Sequence, residues 1–166
     1  MARIRNRTFD TLLTMKDAGL VAATAAATVG GSASAAIIDT MNGSSQGWNT
    51  GLDGVPEIRG DLVIDWSACE VATGDERYDI VLQASSSSTF ASDIVELAVV
   101  ILGAADLPTG HTRAATASSG RHIVPWVNRV GTTNYRYLRI KTVVAGTVAT
   151  GINFTAQLAM EENNLC

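Results

Sequence analysis

An alternation of apolar and polar residues, repeated along the chain from about Arg59 to Met160, most constrains the fold. Residues 76–83, 134–141 and 151–160 each place apolar side chains at every second position. In a strand, this period of two turns one face towards a core and the other towards water or a partner. The pattern predicts a β-sandwich and favours a scaffold or binding protein over an enzyme.

The turns between these segments are rich in glycine, which sets strand boundaries along most of the chain. Strands are predicted at about 35–40, 59–71, 76–86, 94–102, 120–127, 134–145 and 151–160. Seven or eight strands without a convincing helix between them predict an all-β fold, a jelly-roll-like antiparallel β-sandwich. The apolar run at 94–102 suits a strand buried on both faces or one at a subunit interface.

Residues 1–34 are predicted to form an extended N-terminal arm ahead of a sandwich domain at 35–166. Within the arm, Thr8 to Ala18 suits a short helix with Leu12, Leu13 and Met15 as anchors, followed by an extended segment. The first 36 residues resemble a secretory signal, but the charges between the basic start and the apolar run argue against one.

The composition limits the partners. A net charge of -4 and a pI of about 5.0 argue against nucleic-acid binding. The chain lacks a run of about 20 large apolar residues, so no membrane span is expected. Cys69 and Cys166 lack metal-ligand spacing and predict a reducing compartment or no redox role.

The residues that could carry catalysis lack the context that catalysis needs. Gly43-Ser-Ser-Gln-Gly47 matches a nucleophile elbow, but a loop rather than a helix follows it. His111 and His122 are isolated and do not form a zinc site. Asp61 and Asp65 share one strand face, about 13 Å apart by strand rise, instead of facing each other across a cleft. We therefore expect no enzyme, no cofactor and no metal.

Two groups of residues suit contact with a partner. Arg3, Arg5 and Arg7 would project from one side of an extended segment and are suited to binding carboxylates. Trp48 lies in the long loop at 42–56, where aromatic residues often anchor interfaces. In contrast, Trp66 is in phase with the apolar face of its strand and is predicted to lie in the core.

Several segments carry a family resemblance. They are Thr11-Leu-Leu13, Ala22–Thr28, Ile37-Ile-Asp39, Ile80–Ser86 before Phe90, Tyr135–Thr147 and Gly151–Leu158. On these scattered segments the chain resembles the capsid cement (decoration) proteins of tailed phages, of the Bordetella podophage jelly-roll type. The arginine-rich start and the loop at 43–54 depart from that pattern.

The resemblance implies a homotrimeric jelly roll on the outer surface of a phage head, assembled in the cytoplasm of the bacterial host. There it would bridge neighbouring major capsid protein subunits and stabilise the shell. The expected capsid contacts are Arg3, Arg5, Arg7, Phe9, Leu12, Leu13 and Trp48. An alternative is a glycan-binding β-sandwich of a tail fibre or receptor-binding module that uses Trp48 or Trp126.

Overall fold

The computed structural model describes residues 13–28, 36–41, 55–104 and 118–160, and this part of the chain is nearly all β. The strands are β1 (Thr14–Lys16), β2 (Leu20–Val21), β3 (Ala25–Ala26), β4 (Ile37–Asp39), β5 (Arg59–Cys69), β6 (Arg77–Ser85), β7 (Val95–Gly103), β8 (Gly120–Val127), β9 (Arg129–Val130), β10 (Thr133–Asn134), β11 (Tyr137–Ala145) and β12 (Ile152–Met160).

The strands form two antiparallel sheets and a short hairpin, β9–β10. The first sheet has the order β1-β12-β5-β8, with β2 also paired to β12. The second has the order β3-β11-β6-β7, with β4 also paired to β11. Counting β1–β2 and β3–β4 as one interrupted strand each gives eight strands in two four-stranded sheets. Their order along the chain is that of a jelly roll, which confirms the predicted fold class.

The core lies between the two sheets and is built from the alternating apolar positions. Leu62 and Ile64 on β5, and Ile80 and Leu82 on β6, are fully buried. Phe154 on β12 belongs to the same cluster. Burying each such side chain contributes roughly 1.5–3 kcal/mol, so the period of two in the sequence is also the main source of stability.

The prediction for the arm needs correction. Residues 14–16 form a strand paired with β12, so the helix predicted over Thr8 to Ala18 is wrong where the structure describes it. Leu13 and Met15 are buried as expected, but Met15 is buried from strand β1 and Leu13 from the residue just before that strand. The described part of the arm, 13–28, pairs with β12 of one sheet and β11 of the other, so it belongs to the sandwich.

Lys16 stabilises the irregular stretch between β1 and β2 through hydrogen bonds from its side chain. Its Nζ donates to the carbonyl oxygens of Asp17 at 2.8 Å, Gly19 at 3.0 Å and Phe154 at 2.9 Å. The same atom lies 4.3 Å from the centroid of the Phe154 ring. Burial lowers the pKa of Lys16 to about 8, against the opposing attraction of Asp17. The ammonium thus replaces the strand hydrogen bonds that this stretch cannot make.

Candidate docking surface

Most residues predicted to contact a capsid lie outside the described part of the chain. These are Arg3, Arg5, Arg7, Phe9, Leu12 and Trp48, so their contacts stay predictions. Leu13 is described, and its side chain is 5% exposed within the core cluster. In this conformation Leu13 anchors β1 to the sandwich, and its side chain adds almost nothing to the surface.

The two described tryptophans are core residues. Trp66 is buried as predicted, and its indole Nε1 donates to the Ser118 carbonyl at 2.6 Å. His122 stacks on that ring with centroids 5.1 Å apart. Trp126 is only 5% exposed, which contradicts its expected role as an exposed sugar-binding platform. Its ring packs inside the sandwich because it follows the inward register of β8 opposite Gly60.

The acidic residues on β5 form part of an outer face. Asp61 and Asp65 flank Val63 on the side of the strand opposite Leu62 and Ile64. Asp65 accepts two hydrogen bonds from Arg121 on β8, at 2.5 and 2.7 Å. Asp61 and Asp65 therefore lie along the outer side of one strand, with Asp65 paired to Arg121, and they do not face each other across a cleft, as expected.

The outer face of the second sheet carries an apolar strip. On β7, Val99 is 40% exposed and Ile101 is half-buried beside it. Val81 on β6 lies between Val99 and Lys141 in register, and Val143 follows two residues after Lys141 on β11. We call Val81, Val99, Ile101, Lys141 and Val143 the β7–β11 face. The run at 94–102 is therefore buried on one face only.

Two cations on the outer side of β11 differ from five arginines elsewhere on the described surface. Five arginines form salt bridges with carboxylates of the same chain: Arg59 and Arg129 with Glu57, Arg77 with Asp79, Arg121 with Asp65 and Arg136 with Asp39. Arg139 and Lys141, side by side on the outer side of β11, have no carboxylate partner among the described residues. The outer side of this sheet thus combines an apolar strip and these two cations with two carboxylates: Asp79, which pairs with Arg77 and lies between Ile101 and Val143 in register, and exposed Glu96 opposite Gln83.

Arg139 is held in place by the turn between β6 and β7. Its Nε donates to Gln83 Oε1 at 3.0 Å, and its guanidinium lies 4.1 Å from the centroid of the Phe90 ring. Phe90 has a φ of 53° and is buried against the sheet. Ser85 secures the turn by donating to the Ser92 carbonyl at 2.8 Å. The partial burial of the Arg139 side chain lowers its pKa, but an arginine stays charged at neutral pH.

Sequence reasoning missed this face. The sequence shows that the carboxyl half contains many arginines. Which of them are neutralised depends on pairs such as Arg136 with Asp39, which lie 97 positions apart in the chain. The apolar run at 94–102 was the available signal, since it suggested an interface as one of two explanations.

Comparison of the sequence with models of known protein families and with curated proteins found no match. Within the described ranges, no three or more histidine, cysteine, aspartate or glutamate side chains are grouped to hold a metal ion. The same residues include no helix with the length and apolar character to cross a membrane.

Proposed function

We propose that this protein is a structural virion protein that binds the outer surface of a phage head as a homotrimer and cements neighbouring major capsid protein subunits. The sequence resemblance suggests this class, and a jelly roll is the fold that the resemblance implies. The observation that carries the proposal is the β7–β11 face, an apolar strip with Val99 and Val143 exposed, beside two cations that have no carboxylate partner within the described ranges.

Such a face suits an acidic, partly apolar protein surface. Burying Val99 and Val143 removes apolar area from water, which favours association at about 25 cal/mol per Å² before the costs of binding. Carboxylates of the partner would pair with Lys141 and Arg139 and set the orientation. Many modest contacts of this kind, repeated over a symmetric shell, add up to firm attachment through avidity.

The test is co-sedimentation of the protein with undecorated phage heads, counting bound copies per major capsid subunit. We expect saturable binding at a fixed ratio, and heads that resist heat better once decorated. Val99→Asp should weaken binding by about tenfold or more, because it buries an unpaired charge in the contact. Lys141→Glu should also weaken binding and should reduce its dependence on salt.

Ile123→Asp is the matched control, because Ile123 is 39% exposed against 40% for Val99 but lies on the first sheet. Both variants should have similar free energies of unfolding. Equal binding by Val99→Asp and the wild type would exclude the β7–β11 face. No binding of the wild type to heads would overturn the proposed function.

The arm can be tested in the same assay by deleting residues 1–12. A longer deletion would remove Leu13 and Met15, which are core residues. A loss of binding could then come from a loss of stability instead of a lost contact. Normal decoration by the shortened protein would refute the contacts predicted for Arg3, Arg5 and Arg7.

A further inference from the structure

Two loops at one end of the sandwich are joined by a carboxylate. They are residues 70–76, between β5 and β6, and residues 146–151, between β11 and β12. The Glu70 carboxylate accepts hydrogen bonds from the backbone N–H groups of Ala149 at 3.0 Å, Thr150 at 2.6 Å and Gly151 at 2.8 Å. The Thr150 hydroxyl donates a fourth bond at 3.1 Å. One side chain therefore fixes most of the second turn.

Asp75 and Glu76 complete this connection. The Asp75 carboxylate accepts from the backbone N–H and the hydroxyl of Thr147, both at 3.0 Å. Glu76 is fully buried and accepts from the backbone N–H groups of Thr73 at 2.7 Å and Gly74 at 2.9 Å. Glu76 thus shapes the loop that presents Asp75. We call Glu70, Asp75 and Glu76 the anionic clasp.

Among the described residues, the donors to the clasp carboxylates are uncharged backbone N–H groups and threonine hydroxyls. The other titratable groups at this end are engaged elsewhere or neutral. Arg77 donates two bonds to Asp79, at 2.8 and 2.9 Å. The Tyr78 hydroxyl donates to the Glu70 backbone carbonyl at 3.3 Å, and Cys69 is buried in the core. The carboxylate bonds of the clasp therefore depend on its ionisation, since a protonated carboxyl gives up acceptor capacity. The backbone bond from the Glu70 N–H to the Gly151 carbonyl, at 3.1 Å, is independent of pH and is the contact that the opened turn must also break.

The clasped turn also supports the arm. At Gly151, a Cβ atom would lie 2.1 Å from the backbone oxygen of Val21, so the turn and the arm are in close backbone contact. Strand β2 pairs with Ile152 and Asn153, the two residues that follow Gly151. The Asn153 side chain accepts from the Gly19 N–H at 2.7 Å. Movement of Gly151 would therefore disturb the arm between Gly19 and Val21.

We infer that the anionic clasp is an acid-operated latch, whose protonation releases the turn at 146–151 together with β2 while the rest of the sandwich stays folded. The latch covers few residues, and the strands β5, β6, β11 and β12 keep their pairing without it. Such a local opening costs less free energy than global unfolding.

The direction of the pH effect follows from the hydrogen bonds. The N–H groups of Gly151 and Thr150 lower the pKa of Glu70, and Thr73 and Thr147 lower that of Asp75. Burial alone would raise the pKa of Glu76, but its hydrogen bonds from residues 73 and 74 outweigh burial and lower it. The stabilisation is complete above the ordinary carboxyl values of 4.5 and 3.8, and is lost as the pH falls below them.

Hydrogen exchange of the full-length protein between pH 7 and pH 3 tests the latch, with protection factors correcting for the intrinsic pH dependence of exchange. We expect protection at 19–22 and 146–151 to fall by about tenfold or more as the pH drops below about 4.5, before β6 and β11 lose theirs. Glu70→Gln should show the same local loss at pH 7, because it removes the charge.

Asp65→Asn is the control, since Asp65 is also a hydrogen-bonded carboxylate but lies on the outer face of β5 with Arg121. It should leave protection at 146–151 unchanged. Simultaneous loss at 146–151 and in β6 and β11 would mean global acid unfolding and would overturn the latch. So would unchanged protection at 19–22 when 146–151 opens. None of these readouts depends on capsid binding.

Discussion

Replacing Asn128 by alanine should destabilise the fold by about 3 kcal/mol. Asn128 is fully buried just after β8, where the chain turns into the β9–β10 hairpin. Its Oδ1 accepts from the Ile58 N–H at 2.8 Å, and its Nδ2 donates to the carbonyls of Pro56 and Tyr135, both at 3.0 Å. One side chain at the end of β8 thus binds both the segment before β5 and the segment between β10 and β11.

The magnitude follows from the number of bonds. Each hydrogen bond contributes about 1 kcal/mol net, and Asn128→Ala leaves three backbone groups without their partner. For a chain of 166 residues, a loss of about 3 kcal/mol lowers the Tm by roughly 6–12 °C. Asn128→Asp should be more harmful, because a carboxylate would face two carbonyl oxygens.

Urea unfolding followed by the fluorescence of the buried Trp66 and Trp126 measures this loss. Asn153→Ala is the matched comparison, since within the described part of the chain the side chain of Asn153 takes part in a single hydrogen bond, which it accepts from the Gly19 N–H. It should cost about 1 kcal/mol. A loss below 1 kcal/mol for Asn128→Ala, or an equal loss for the two variants, would refute the reasoning.

Two further predictions concern the arm and the clasped turn. Between pH 8 and 10.5 the unfolded state keeps the Lys16 proton that the folded state has released, so rising pH should stabilise the wild type relative to Lys16→Met in urea unfolding. A constant difference across that range would contradict the lowered pKa. Gly146→Ala should destabilise more than Gly74→Ala, because both glycines have positive φ but only at Gly146 would a Cβ meet backbone, 2.1 Å from the Asp75 oxygen. Equal losses of Tm for the two variants would contradict this prediction, because they would show that the backbone at Asp75 moves aside at little cost.

The long strands were predictable because they depend on a local property. The predicted strand at 76–86 matches β6 (Arg77–Ser85), and that at 151–160 matches β12. In both, every second side chain is apolar, and burying that face in a sandwich determines strand and register together. Counting such segments was enough to predict the jelly roll.

The arm strands were not predictable in the same way. Strands β1, β2 and β3 have only two or three residues each, too few to show a period. They form because β12 and β11 offer hydrogen-bonding groups at their edges, and a helix at 14–16 would leave those groups unpaired.

Local sequence pattern was therefore enough for the all-β class, the positions of the long strands and the buried side of the alternating ones, such as β6 and β12. Tertiary structure alone decided which charges are neutralised, since partners such as Asp39 and Arg136 meet only when β4 pairs with β11. It also decided the candidate docking surface, because Arg139 and Lys141 differ from the other basic residues only in lacking carboxylate partners among the described residues. Periodicity is a property of neighbours in the chain, whereas charge compensation is a property of neighbours in space.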